Sequence, residues 1–235
     1  MDQPAPRRAS GPATVQGRDR VPHRGRPEGR ARGASRHDER PTLGRPVPCI
    51  SRSPIARPVR PHGRTRGSGP CATDRGRRPL ALLRGCGMST DAHHPLVPRP
   101  DGSGIVRALH SALRDAGCAP QDIGHINAHG TSTRLNDAAE AAALNEAFAG
   151  CPPPVTAPKS VIGHTLGAAG AVEAAYTVLA LRHQAIPPTA NFTHQGNDRE
   201  LDIVAHGIRK ATMSAAISCS YGFGGHNTAL LSTTP

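Results

Sequence analysis

The chain has 235 residues and a formal net charge of +12, and this length is typical of one domain or of one domain with a long appendage. The charge is local, because residues 1–87 contain 20 arginines, no lysine and 6 acidic residues, whereas residues 88–235 contain 9 basic and 11 acidic residues. We expect no transmembrane helix, since no run of 18 apolar residues occurs, and no secretory signal, since the first ten residues lack an apolar core.

Residues 1–84 form a tract rich in arginine, proline and glycine that contains no Phe, Trp or Tyr. Its few apolar residues cannot offset a chain entropy of about 1–2 kcal/mol per residue, so we predict disorder. Three interpretations are open. The tract is the product of a wrong reading frame or start, a disordered segment with a role of its own, or a nucleic-acid-binding arm. Clustered arginines favour the last, but the aromatic residues that stack on bases are absent.

The ordered domain is predicted over residues 85–235, next to an apolar run at 80–83 that predicts an edge strand. The predicted elements are a helix over 104–116, a strand over 122–128, a helix from 136–137 to 150, a strand over 154–160, a helix over 165–183, and strands near 202–204, 215–220 and 227–232. This order is an α/β layered pattern, and the apolar strands indicate burial on both faces of a sheet.

Three motifs carry the candidate chemistry. They are HGTSTRLN at 129–136, KSVIGHTLGAAGAVE at 159–173, and YGFGGHN at 221–227. His129 follows a predicted strand, and His164 lies close to the start of a predicted helix, where the helix dipole disfavours an imidazolium. A neutral histidine can donate an N–H to an oxygen that gains negative charge. Together with Lys159, the two histidines suit the decarboxylation of a malonyl thioester.

In this order, the three motifs resemble the C-terminal half of a beta-ketoacyl-acyl-carrier-protein (ACP) synthase, the elongating condensing enzyme of fatty-acid and polyketide synthesis. The similarity becomes specific at 85–94 and continues to the C-terminus. It implies the C-terminal half of a thiolase-like αβαβα sandwich, in which two similar halves pack together. The implied activity is acyl transfer by 3-oxoacyl-ACP synthase, the decarboxylative Claisen condensation of malonyl-ACP with an acyl group.

The resemblance also assigns roles to individual residues. The catalytic residues are His129 and His164, together with Lys159, which orders the site. The residues that bind the substrate are Thr131 and Thr133, at the phosphopantetheine arm, and Phe223, which gates the acyl pocket. The residues that support the site are Asn127, Glu173 and Ser220.

The resemblance implies no metal and no permanently bound cofactor, since phosphopantetheine arrives on the ACP. The implied partner is an ACP that carries malonyl or acyl groups, and the complete enzyme would be a homodimer. We expect a cytoplasmic protein that binds neither a membrane nor nucleic acid, with its six cysteines reduced, because they form no CxxC pair and no metal spacing.

The chain departs from the family at the nucleophile. Acyl transfer in the family proceeds through a cysteine thioester, and no cysteine in this sequence has the context of that nucleophile. Cys71 lies in GPCATD, but it stands much closer to the segment at 87–92 than the nucleophilic cysteine of the family does, and it is followed by arginines and a proline. Cys219 has the pattern of a buried small hydrophobic residue. Two alternatives to a complete synthase are therefore open: an inactive fragment without the nucleophile, and a basic nucleic-acid-binding protein, which only residues 1–84 support.

Overall fold

A computed structural model describes residues 76, 78–196 and 199–235. Its elements are β1 (Leu82–Thr90), α1 (Ser103–Ala116), β2 (Ile123–Asn127), α2 (Arg134–Ala147), β3 (Val155–Thr156), α3 (Lys159–Ile162), α4 (Ala169–His183), β4 (Ala185–Ile186), β5 (Arg209–Lys210), β6 (Ala215–Gly222) and β7 (His226–Thr233). Among these residues, no helix is long and apolar enough to cross a membrane. The predicted disorder of residues 1–84 and the exclusion of Cys71 concern positions that lie, apart from 76 and 78–84, outside the described residues.

Five strands form one mixed sheet in the order β1-β7-β6-β2-β3. β2 runs parallel to both β3 and β6, and β7 runs antiparallel to β6 and β1. The register sets Ile126 opposite both Val155 and Ile217, so three strands contribute apolar residues at one level of the sheet. β4 and β5 form a separate two-stranded pair.

One face of the sheet is covered by α1 and α2. The buried residues that join these helices to the sheet include Ile105, Leu109, Ile126, Leu144, Ile217 and Leu231. α1 is amphipathic with the predicted spacing, and it ends at Gly117, whose φ of 65° is the left-handed conformation that glycine adopts most readily.

α4 covers the other face of the sheet and packs mainly on β6. Because side chains alternate along a strand, Asn127 faces α4 while its neighbour Ile126 faces the apolar core. Buried polar groups therefore line this second interface. His125 bonds Thr156 Oγ1 at 2.8 Å, and burial lowers the pKa of His125 to about 4.

The structure changes several predicted boundaries. β3 is only two residues long, because Lys159 already begins the short helix α3. The predicted helix over 165–183 is divided into a 3-10 turn at Leu166–Ala168 and α4. The predicted strand near 202–204 is reduced to a single bridge between Val155 and Ile203. β1 begins at Leu82, within the apolar run at 80–83 that predicted an edge strand, and it lies at the edge of the sheet.

β1 packs against α1 through two glycines that leave no room for a side chain. A Cβ added at Gly85 would lie 2.3 Å from the Ala112 carbonyl oxygen, and one added at Gly87 would lie 1.9 Å from the Ala108 carbonyl oxygen. Both distances are far inside van der Waals contact with backbone atoms, which cannot move aside as a flexible side chain can. The edge strand therefore depends on glycine at these two positions.

We expect Gly87→Ala to lower the free energy of unfolding by about 1–3 kcal/mol, because the added methyl group overpacks the contact between β1 and α1. The measurement is the urea midpoint of the full chain. Gly196→Ala is the matched control, since nothing lies within 4 Å of a Cβ at Gly196. Equal midpoints for the two variants would contradict the close contact.

Candidate active site

The candidate site forms where the parallel strands β2 and β3 end. The Ala128 N–H donates to the Thr156 carbonyl oxygen at 2.8 Å and so extends the ladder beyond β2. His129 follows on one strand and Lys159 follows on the other. Carboxyl ends of parallel strands meet at one edge of a sheet, which brings these two residues together although 30 positions separate them.

The Lys159 ammonium group is buried and holds three parts of the site. Its Nζ donates to the His129 carbonyl oxygen at 2.5 Å, to His129 Nδ1 at 3.2 Å, and to Glu173 Oε1 of α4. An ammonium group has three hydrogens, so all its donors are engaged. Burial raises the pKa of Glu173, and the charge of Lys159 opposes that rise. Lys159 thus links the loop of His129 to α4, and its three protons are committed to hydrogen bonds within the protein.

This contact fixes the tautomer of His129. Because an ammonium group can only donate, His129 Nδ1 accepts, and the proton of the neutral ring is on Nε2. The ring is buried, and burial lowers the pKa of His129 to about 3, with the charges of Lys159 and His164 adding to the effect. At neutral pH His129 is therefore a neutral N–H donor.

His164 lies in the loop between α3 and the Leu166–Ala168 turn, and its side chain is exposed. Its Nδ1 accepts the Leu166 N–H at 3.2 Å, so in the neutral ring Nε2 again carries the proton. The rings of His129 and His164 meet edge to face, with centroids 5.4 Å apart and an interplanar angle of 84°. Two imidazole rings, each with Nδ1 already accepting a hydrogen bond, thus lie side by side.

Glu140 of α2 holds the loop that carries His129. Its two carboxylate oxygens accept the backbone N–H groups of His129 and Gly130 at 2.8 and 2.9 Å. Gly130 has φ of +44°, and a Cβ there would lie 2.5 Å from the Ala157 Cβ. Burial raises the pKa of Glu140 to about 7, although the two N–H donors oppose the rise.

Comparison with known proteins identifies the family of this chain. Residues 80–193 match the model of the beta-ketoacyl synthase C-terminal domain. This part of the chain belongs to the beta-ketoacyl synthase family. The chain is 46% identical over 159 residues to 3-oxoacyl-[acyl-carrier-protein] synthase 2 of Mycobacterium bovis, a match that covers 68% of this chain and 38% of the relative.

Two solved structures show the same relationship. The ishigamide ketosynthase/chain length factor superposes with a TM-score of 0.67 at 39% identity, covering 70% of this chain and 40% of that one. A ketosynthase in complex with its type II polyketide acyl-carrier protein, AntDE:AntF, also has a TM-score of 0.67, at 30% identity, covering 70% and 41%. The predicted fold, the C-terminal half of a thiolase-like synthase, is confirmed, and the chain spans about 40% of the length of these relatives.

The residues expected to support the synthase site lie around α4. Asn127 Nδ2 donates to the Glu173 carbonyl oxygen at 2.8 Å and to Thr177 Oγ1 at 3.1 Å. Ser220 lies under the start of α4, where its Oγ is 3.1 Å from the position of a Cβ on Gly170. Asn127 Oδ1 and Glu173 Oε2 are buried without a hydrogen-bond partner among the described residues.

The residues expected to bind the substrate are more exposed. Thr131 and Thr133 share a hydrogen bond of 2.8 Å between their hydroxyl groups. Phe223 is 72% exposed on the turn between β6 and β7, where Gly224 has φ of 79°. The structure thus joins His129, His164, Lys159, Glu173 and Asn127 in one contact network and sets Phe223 on a separate turn.

Two residues that touch His129 had no role predicted from the sequence. Glu140 carries the one charge of the alanine-rich stretch AAEAAA, and a lone carboxylate on the buried face of a helix was the signal that could have identified it. Tyr221 contacts the His129 ring with centroids 5.4 Å apart. Tyr221 opens the motif at 221–227, but no role was assigned to it, because its contact with His129 depends on the parallel pairing of β6 with β2.

Cys219 is unsuited to the role of nucleophile. Its side chain is wholly buried in β6, and burial raises the pKa of the Cys219 thiol well above its usual range. A nucleophilic cysteine needs an accessible thiolate. The prediction that Cys219 is a small core residue agrees with this environment.

Glu140 gives the fold a pH dependence that can be measured. Its pKa in the folded chain, about 7, is above its ordinary value of 4.5, so its contribution to stability is fully present below pH 4.5 and is lost as the pH rises through 7. We expect the unfolding free energy of the wild type, relative to Glu140→Gln, to fall by about 3 kcal/mol over this range.

Urea unfolding of both proteins at the two ends of this pH range measures the difference. Glu146→Gln, on the exposed face of the same helix, is the matched control and should show no such change. A stability difference between wild type and Glu140→Gln that does not vary with pH would contradict the assignment.

Proposed function

We propose that residues 85–235 form the C-terminal domain of a 3-oxoacyl-ACP synthase and supply the histidine half of its active site. The observation that carries this proposal is the pair of histidines, His129 and His164, in edge-to-face contact with Nδ1 of each ring already engaged. Each ring then has one N–H, on Nε2, that is available to an oxygen of the substrate.

This pair suits the decarboxylation of a malonyl thioester. Loss of CO2 leaves an electron pair that passes through the α-carbon to the thioester oxygen, and neutral N–H donors stabilise the resulting enolate oxygen. The enolate carbon then attacks an acyl thioester, forms the new carbon–carbon bond and releases a thiolate. His129 and His164 would donate to the thioester oxygen, and Lys159 would hold His129 in the tautomer that allows it.

The hydroxyl pair of Thr131 and Thr133 suits an elongated polar ligand at the entrance of this site. We propose that it contacts the phosphopantetheine arm of an ACP, which carries the malonyl group, and that Phe223 borders the acyl pocket. A relative of known structure was solved with its acyl-carrier protein, which supports a carrier-protein partner. The proposal includes a homodimer for the complete enzyme, a cytoplasmic location and a role in fatty-acid or polyketide synthesis.

We propose that a second polypeptide supplies the acyl-bearing cysteine. Cys219 is buried, and the chain spans 38% of the length of its curated relative. For the chain in isolation, these two facts favour the alternative of an inactive fragment. The nucleic-acid hypothesis rests on residues that are almost all outside the described part of the chain, and no described residue adds to it.

To test this proposal, a second polypeptide supplies the part of the active site that is expected to carry the nucleophilic cysteine. We expect the chain, when coexpressed with the part of the M. bovis synthase that precedes the matched segment, to release CO2 from malonyl-ACP and to form a 3-oxoacyl product. Replacing either His129 or His164 by Ala should lower the rate of CO2 release about 100-fold or more, since each removes one oxyanion donor. His110→Ala, on the exposed face of α1, is the matched control.

Mass spectrometry of the same mixture locates the acyl group. We expect an acyl adduct on the added polypeptide and no adduct on Cys219. A complex that forms but releases CO2 equally well with His129→Ala would contradict the proposal, as would an acyl adduct on Cys219.

A further inference from the structure

Tyr221 is the aromatic neighbour of His129 and has no role in the chemistry described above. It lies near the end of β6, which pairs in parallel with β2, so both strands deliver a residue to the same edge of the sheet. Its side chain is buried, and its ring is tilted by 57° against the His129 ring with centroids 5.4 Å apart. Aromatic contacts at this distance are worth about 0.5–1.5 kcal/mol beyond the area they bury.

The backbone of His129 is held more firmly than its ring. Glu140 fixes the backbone N–H groups of His129 and Gly130, and Lys159 fixes the His129 carbonyl oxygen. Rotation of the imidazole about its Cβ–Cγ bond is opposed by the 3.2 Å contact from Lys159 to Nδ1 and by the packing of neighbouring rings. The torsion of an aromatic ring about this bond is broad, so packing decides its value.

The neighbouring rings differ in how firmly they can hold the imidazole. His164 is exposed and lies on a loop, whereas Tyr221 is buried in a strand of the central sheet. The Tyr221 ring therefore supplies the rigid surface on this side of His129. It also excludes water from that part of the ring.

The hydroxyl group of Tyr221 contributes little to this contact. Burial raises the pKa of Tyr221 well above its usual range, and the neighbouring Cys219 thiol and Glu140 carboxylate add to the rise. These two groups lie beside the hydroxyl, but among the described residues neither meets the distance and angle of a hydrogen bond with it. A buried hydroxyl without a partner costs stability, so the aromatic ring is the useful part of this side chain.

We propose that Tyr221 is a positioning residue for His129, whose aromatic ring keeps Nδ1 against Lys159 and so keeps the proton on Nε2. The inference rests on the proposed role of His129 in the active site. It differs from that proposal in its test, because the orientation and tautomer of His129 can be observed without any turnover.

The experiment is ¹⁵N NMR of the histidine side chains in the full chain, with His129 assigned by comparison with His129→Gln. In the wild type, His129 should give the signals of the neutral Nε2–H tautomer at pH values well below its ordinary pKa of 6.5. In Tyr221→Leu, we expect mixed tautomers and a pKa that rises by about one unit or more, because water reaches the freed ring.

Tyr221→Phe separates the ring from the hydroxyl group. It should keep the wild-type tautomer and pKa of His129 and should not lower the urea midpoint, since only an unpartnered hydroxyl is removed. Phe148→Leu is the control for loss of core packing: Phe148 is buried at the far end of α2, and its replacement should lower the midpoint without changing the His129 signals.

Two results would overturn the inference. One is a Tyr221→Leu variant that is folded and retains the wild-type tautomer and pKa of His129. The other is a Tyr221→Phe variant in which the His129 signals change as much as in Tyr221→Leu, which would assign the effect to the hydroxyl group and not to the ring.

Discussion

The buried ammonium group of Lys159 is the interaction on which the site depends. It joins the loop after β2, the start of α3 and the buried Glu173 of α4 in one set of hydrogen bonds. Taking one charge out of water without a partner is far more costly than burying a matched pair. The positions of His129 and of α4 are therefore coupled: a change in either leaves Lys159 or Glu173 without its partner.

Glycines allow the helices to pack closely on the sheet. Gly170 lets the start of α4 approach Ser220 of β6, and Gly85 and Gly87 let α1 lie directly on β1. The result is a sheet with an apolar face under α1 and α2 and a partly polar face under α4. The candidate chemistry lies at the edge of the polar face, where Asn127 and Thr177 continue the hydrogen bonding from the sheet into α4.

The sequence predicted most of this arrangement where a short motif carries a fixed geometry. The motifs at 129–136 and 159–173 predicted both histidines and Lys159 as site residues, and the structure places these three side chains in contact. Apolar spacing predicted α1 to within one residue. The sequence did not predict the contacts that join distant parts of the chain. Glu140 and Tyr221 reach His129 only through the packing of α2 and the pairing of β6, and the brevity of β3 follows from Lys159 beginning a helix at once.

A double-mutant cycle on Lys159 and Glu173 tests the central claim most directly, through the urea-measured free energies of unfolding of Lys159→Met, Glu173→Gln and the double variant. We expect each single variant to be strongly destabilised and the double variant to lose less than the sum of the two, with a coupling of about 1–3 kcal/mol. Single-variant losses that add to within about 0.3 kcal/mol would contradict this claim, because the ammonium group and the carboxylate would then act independently.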